Sequence, residues 1–172
     1  MHYDSYGDCT MSKLFVDDIV EKTSGHGVSI PGHVVQVKYR NVINNNFSSA
    51  SSNYTDIDNW YVDITPKSSS NIIVVQTTIT MKLNDQDGYG RLRIVDSNNS
   101  DTKWNTNDRI GSAAYYQTTT SWLDYPYFHI NTAGTTNAMR LQFQVQVMSG
   151  GTLTNQWSDS DDRIVMAMEI AQ

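Results

Sequence analysis

From Met139 to Val147 every odd-numbered residue is apolar, and every even-numbered one is Arg140 or a glutamine: Gln142, Gln144 or Gln146. A repeat of two is the repeat of a β-strand with one dry face and one wet face; a helix of 3.6 residues per turn would scatter those apolar side chains around its axis. The same period returns along the chain. Val35, Val37 and Tyr39 alternate with Gln36, Lys38 and Arg40, the pattern of a half-buried strand. Ile73, Val75, Thr77, Ile79, Met81 and Leu83 fall on one face of a long strand, and Leu92 and Ile94 alternate with Arg91 and Arg93. Ile164, Met166, Met168 and Ile170 alternate with Val165, Ala167, Glu169 and Ala171, so apart from Glu169 this last segment is apolar on both faces. Such a strand is expected to be central in its sheet or covered by another subunit, because an exposed edge of that kind invites aggregation.

Turn chemistry separates these segments. Pro31-Gly32, Lys67 to Asn71 and Asn84 to Gly88 punctuate the pattern, and Trp60 to Thr65 is extended up to Pro66. Asn44 to Asn59 reads as a Ser/Asn-rich connection and Asp96 to Asp108 as a polar loop carrying Trp104. Ile110 to Thr120 and Trp122 to Ile130 read as aromatic-rich extended segments. Roughly eight strands without a helical period predict an all-β fold, a jelly-roll-like antiparallel β-sandwich. With 172 residues there is room for one such domain. We expect it over residues 33–172, behind an N-terminal segment over residues 1–32.

Charge narrows the partners. Twelve Lys and Arg are scattered against eighteen Asp and Glu, giving −6. A nucleic-acid binder needs clustered cations to displace counterions from phosphate, so nucleic acid is not expected as a partner. No apolar run approaches the twenty residues of a membrane span, and membrane insertion is not expected. Cys9 is the only cysteine, which excludes an intrachain disulfide. His2, His26, His33 and His129 fall in no metal-binding spacing. Asp85-Gln86-Asp87-Gly88 is a fragment of a calcium loop, and Asp159 to Asp162 reads as a solvated acidic turn. No nucleophile elbow, phosphate loop or dinucleotide fingerprint occurs. We therefore expect no catalytic residues, no metal, no cofactor and no enzyme activity.

Aromatic residues are the stronger signal. Tyr and Trp in polar surroundings suit a sugar ring, and they equally suit a subunit interface or a core. Trp104, Tyr125 and Trp157 are the candidates for ligand contact, on loops expected to face outwards. Leu14, Phe15, Val16, Val28 and Ile30 form two short apolar clusters around the polar turn Glu21 to Gly27. A segment this short has no core of its own, so these five are the candidates for trimerisation.

Several blocks together resemble one family. Val16 to Gln36, with Thr23-Ser24-Gly25-His26-Gly27-Val28 at its centre, is similar to the opening of tail-fibre and related virion proteins of tailed bacteriophages, especially marine ones. Val62 to Ile72, Trp122 to Pro126 and Ile164 to Ala171 resemble later blocks of the same proteins. The resemblance implies a homotrimeric fibre knob or surface appendage of the phage particle, used for host attachment or decoration. Its partners would be copies of itself, other virion proteins and a host-surface glycan. It carries no catalytic or ligand-binding motif. The chain departs from the family in its Met1 to Thr10 extension and in having no room for a long shaft. The alternative reading is a secreted monomeric carbohydrate-binding module.

Overall fold

The computed structural model describes residues 31–43, 46–84, 90–100, 102–104, 122–148, 151–156 and 163–172. These form ten strands: β1 (Val34–Val42), β2 (Asn46–Ser49), β3 (Thr55–Ile64), β4 (Ile72–Leu83), β5 (Gly90–Asp96), β6 (Thr102–Lys103), β7 (Leu123–Thr132), β8 (Met139–Val147), β9 (Leu153–Gln156) and β10 (Arg163–Ile170). One 3-10 turn, Ser97–Asn99, follows β5. All strand pairs are antiparallel.

The strands lie in two sheets. One runs β1-β10-β4-β7, with β9 and then β2 continuing from the far end of β4; the other runs β3-β8-β5-β6. Leaving out the short strands β2 and β9, the remaining eight lie in chain order 1-8-3-6 and 2-7-4-5. That winding is a jelly roll, which hides most strand edges by folding two Greek keys over each other. The all-β expectation holds, down to the sandwich type.

The core lies between the sheets. Ile73, Val75, Ile79 and Met81 of β4 meet Leu141, Phe143 and Val145 of β8, Leu92 and Ile94 of β5, and Ile57, Trp60 and Val62 of β3. The buried Trp60 indole N–H donates to Thr77 Oγ1 at 3.2 Å, and that hydroxyl donates to the Ile164 carbonyl at 2.9 Å. Thr77 thus belongs on the dry face of β4 because it spares the indole an unmet donor.

Asn44 to Asn59, expected as a connection, instead contains β2 and the start of β3. Phe47 and Ile57 supply the inward side chains that a run of Ser and Asn obscures. β3 loses register with β8 between Asp56 and Tyr61, where Asn59 takes a positive φ of 60°. Gln142 fills the gap: its side-chain amide donates to the carbonyls of Ile57 and Trp60 at 2.9 and 3.3 Å. This glutamine on the predicted wet face is therefore buried.

One end of the roll is tied together by Glu169 on β10, a fully buried carboxylate. It accepts from Gln36 on β1 at 2.5 Å, from the Asn71 side chain and the Lys67 backbone N–H at 2.7 Å, and from the Ser68 N–H at 3.3 Å. Burial alone would raise its pKa, but the Gln36 and Asn71 amides and the two backbone donors hold it below the usual glutamate value. Nearby, Ala133 and Gly134 donate to the carbonyls of Asn71 and Ser69 at 2.8 and 2.9 Å, locking the β3–β4 turn to the β7–β8 turn.

Removing this carboxylate leaves four donors unmet. Glu169→Ala is expected to cost about 3 kcal/mol in urea denaturation, and Glu169→Gln, which keeps an acceptor oxygen, less than that. Since the folded pKa is depressed, the stabilisation is complete above the unfolded value of about 4.3 and fades as pH falls through the lower folded value. Glu169→Gln should flatten the pH dependence of stability in that acid window.

Candidate assembly interface

β10 determines what the first sheet presents to the outside. Its inward positions are the small Val165 and Ala167 with Glu169, followed just past the strand by Ala171, all buried, which lets the sheets approach closely. Its large side chains, Ile164, Met166, Met168 and Ile170, therefore face away from the core, and Ile164 is 49% exposed. The sequence expectation of a central position holds, for β10 lies between β1 and β4. The flanking strands add to the outer apolar surface instead of screening it.

Cross-strand register assembles the face row by row. Val34, Ile170, Ile72 and Thr132 form the first row; Val37, Met168, Val74 and Ile130 the second; Tyr39, Met166, Gln76 and Phe128 the third. Asn41 stands beside Ile164, and Thr78 beside Pro126, at the next level. Val37 and Tyr39 were expected as the half-buried side of β1, yet they are exposed at 47% and 69%, and Phe128 is 61% exposed. A bulge between Val34 and Gln36 helps set this orientation. None of these outer positions carries a charge.

The boundary is polar. Arg163 pairs with Asp124 at 3.2 Å, Asp124 also accepts from the Thr80 hydroxyl, and the Lys82 ammonium lies 5.8 Å from the Trp122 ring. An uncharged apolar centre bordered at this end by charged groups resembles the core and rim of a protein–protein contact surface. With strands about 4.8 Å apart and outward residues about 6.8 Å apart along each strand, the face measures on the order of 400 Å². That matches the largest apolar patch of a typical soluble domain, about 300–600 Å² and often functional, which makes this face the candidate contact surface.

The aromatic candidates lie elsewhere. Trp104, expected on an outward loop, is buried. Its backbone N–H donates to the Ile94 carbonyl at 3.2 Å, its carbonyl accepts from the Asn131 side chain, and its ring meets His129 edge-on at 5.3 Å. Tyr125 is half-buried on the inward side of β7 and packs against the core. Tyr127, two residues on, meets Phe143 edge-on at 5.1 Å. Among the described residues the Trp104 indole N–H, the Tyr127 hydroxyl and His129 Nε2 have no hydrogen-bond partner. Burial raises the pKa of Tyr127 and lowers that of His129, favouring a neutral phenol and a neutral imidazole. Trp157 and the trimerisation candidates Leu14, Phe15, Val16, Val28 and Ile30 lie outside the described residues, as do both acidic turns considered for calcium. Among the described residues no group of three His, Cys, Asp or Glu is placed to hold a metal.

Because Tyr39 and Phe128 are mostly exposed, they contribute little to the folding of a single subunit. The double change Tyr39→Ser, Phe128→Ser should alter subunit stability by under about 1 kcal/mol in denaturation of dilute protein. Phe143→Ala, in the core, should cost about 3 to 5 kcal/mol.

No family model matches the chain, and no curated protein matches it in sequence. Among solved structures the chain is similar to the subunit of T=1 particles derived from infectious bursal virus, at 9% identity and a TM-score of 0.47, over 90% of this chain and 40% of that one. It is similar in the same degree to a point mutant of the VP2 protein of infectious bursal disease virus, also in T=1 particles, at 10% identity and a TM-score of 0.47, over 90% of this chain and 41% of that one. The chain thus spans about two fifths of the length of those proteins.

Proposed function

We propose that this chain is a non-enzymatic structural subunit of a phage particle, a homotrimeric fibre knob or surface appendage, and that the outer face of the β1-β10-β4-β7 sheet is covered by further copies of the chain. The observation that carries the assembly reading is that face: four strands wide, apolar and free of charge, on a chain of net charge −6. A neutral centre lets like-charged copies meet without opposing carboxylates, while the acidic groups stay at the rim and in solvent.

Size argues for more than one contact. The face offers about half of the ~800 Å² that each partner contributes to a standard interface. Three such faces gathered around a threefold axis would each meet two neighbours, and the apolar clusters between Leu14 and Ile30 would contribute to trimer formation. The virion assignment is supported by the tail-fibre-like blocks at Val16 to Gln36 and Val62 to Ile72, and by a jelly-roll winding that viral shells share with lectins. Host attachment would follow from display of the trimer on the particle.

Sedimentation equilibrium tests the reading. The wild-type chain is expected at about 58 kDa, three times its 19.4 kDa. Tyr39→Lys, Phe128→Lys, which places cations at the centre of each face, should shift it towards the monomer by at least tenfold in the association constant. A wild-type monomer at tens of micromolar would overturn the trimer and leave the monomeric sugar-binding module as the better reading.

A further inference from the structure

At the end of the roll held by Glu169, a cleft of about 530 Å³ opens between β1 and the β3 and β8 strands of the second sheet. Its volume is that of a site for a small organic ligand, well beyond the need of a single inorganic ion. Among the described residues the cations lining it are Lys38, Lys67 and Arg140, and the lining carboxylate is Asp63. Arg140 is committed to Asp63 through two bonds of 2.8 and 3.2 Å and lies 4.2 Å from the Tyr61 ring centre. Lys38 and Lys67 are exposed, and neither ammonium has an acidic partner among the described residues. The cleft is thus locally positive on an acidic chain, and it stays so when Glu169, buried behind Gln36, is counted.

The rest of the lining suits hydroxyls and ring carbons. Gln36 and Asn98 bring amides, and Ile64 and Met139, both buried, form an apolar floor. The walls are pre-formed: the Gln36 amide is fixed on the Thr65 carbonyl at 2.7 Å and on Glu169, and the Lys67 backbone is held by Glu169. We infer that this cleft binds an acidic saccharide, with Lys38 and Lys67 receiving its carboxylate or sulfate and the amides its hydroxyls. Charge-assisted bonds to two cations that have no acidic partner among the described residues give the preference for an acid. The inference stands apart from the assembly reading, because the cleft lies on the inner side of β1, away from the outer sheet face.

Titration calorimetry on the full chain tests it, with a hexamer of galacturonate and a sulfated galactose hexamer as ligands. A neutral galactose hexamer and hexaglutamate serve as comparisons. At least one acidic saccharide is expected to bind at least tenfold more tightly than both comparisons, weakening as salt rises. Lys38→Gln, Lys67→Gln should lose at least tenfold of that affinity with unchanged sedimentation, which separates the cleft from the assembly face. Equal binding of the neutral hexamer or of hexaglutamate would overturn the inference. So would retention of binding by the double variant, or no binding of either acidic saccharide at millimolar concentration.

Discussion

A central strand that is apolar on both faces except at Glu169 is the constraint on which the rest depends. β10 can bury only one face within a two-layer sandwich, and the side it buries is the one with small residues. Val165, Ala167 and Ala171 allow the sheets to close over Trp60 and Phe143; Ile164, Met166, Met168 and Ile170 are left on the outside. The hydrophobic effect is indifferent to which molecule supplies the cover, so a surface of this kind acts as an unfinished core.

Around that strand the fold divides its labour. The interior is held by apolar packing with a few polar groups satisfied in place, such as Thr77 under Trp60 and Gln142 in the β3 irregularity. One end is held by a single buried carboxylate whose four donors come from β1 and from the turn before β4. The same network that secures this end also shapes the walls of the cationic cleft. Stability and the proposed ligand site therefore share residues there, while the outer sheet face draws on neither.

Much of the fold was legible because a period of two survives wherever one sheet face is dry. β4, β5 and β8 bury the residues that their alternation singled out: Ile73 to Leu83, Leu92 with Ile94, and Met139 to Val147. Alternation fails to say which face is inward when both are apolar, as on β10, or when the wet face is aromatic and aliphatic, as with Val37 and Tyr39 on β1. It also missed β2 and the start of β3, where single apolar residues, Phe47 and Ile57, stand among Ser and Asn. Trp104 looked like a loop residue because its neighbours are polar; pairing of Thr102–Lys103 with β5 carries it into the core. The cleft could not be read from sequence, since Lys38, Lys67 and Arg140 are distant in the chain and only the sheet order brings them together. The outer face had one visible signal, the two-sided apolarity of Ile164 to Ala171.

The most direct measurement of the central claim is hydroxyl-radical footprinting across a range of protein concentrations. If copies cover the outer sheet face, labelling of Met166, Met168 and Phe128 should fall severalfold between dilute and assembled protein, while the rim residue Trp122 changes little. Undiminished labelling of those three side chains in the assembled protein would contradict the account, because the surface left open by β10 would then have no cover.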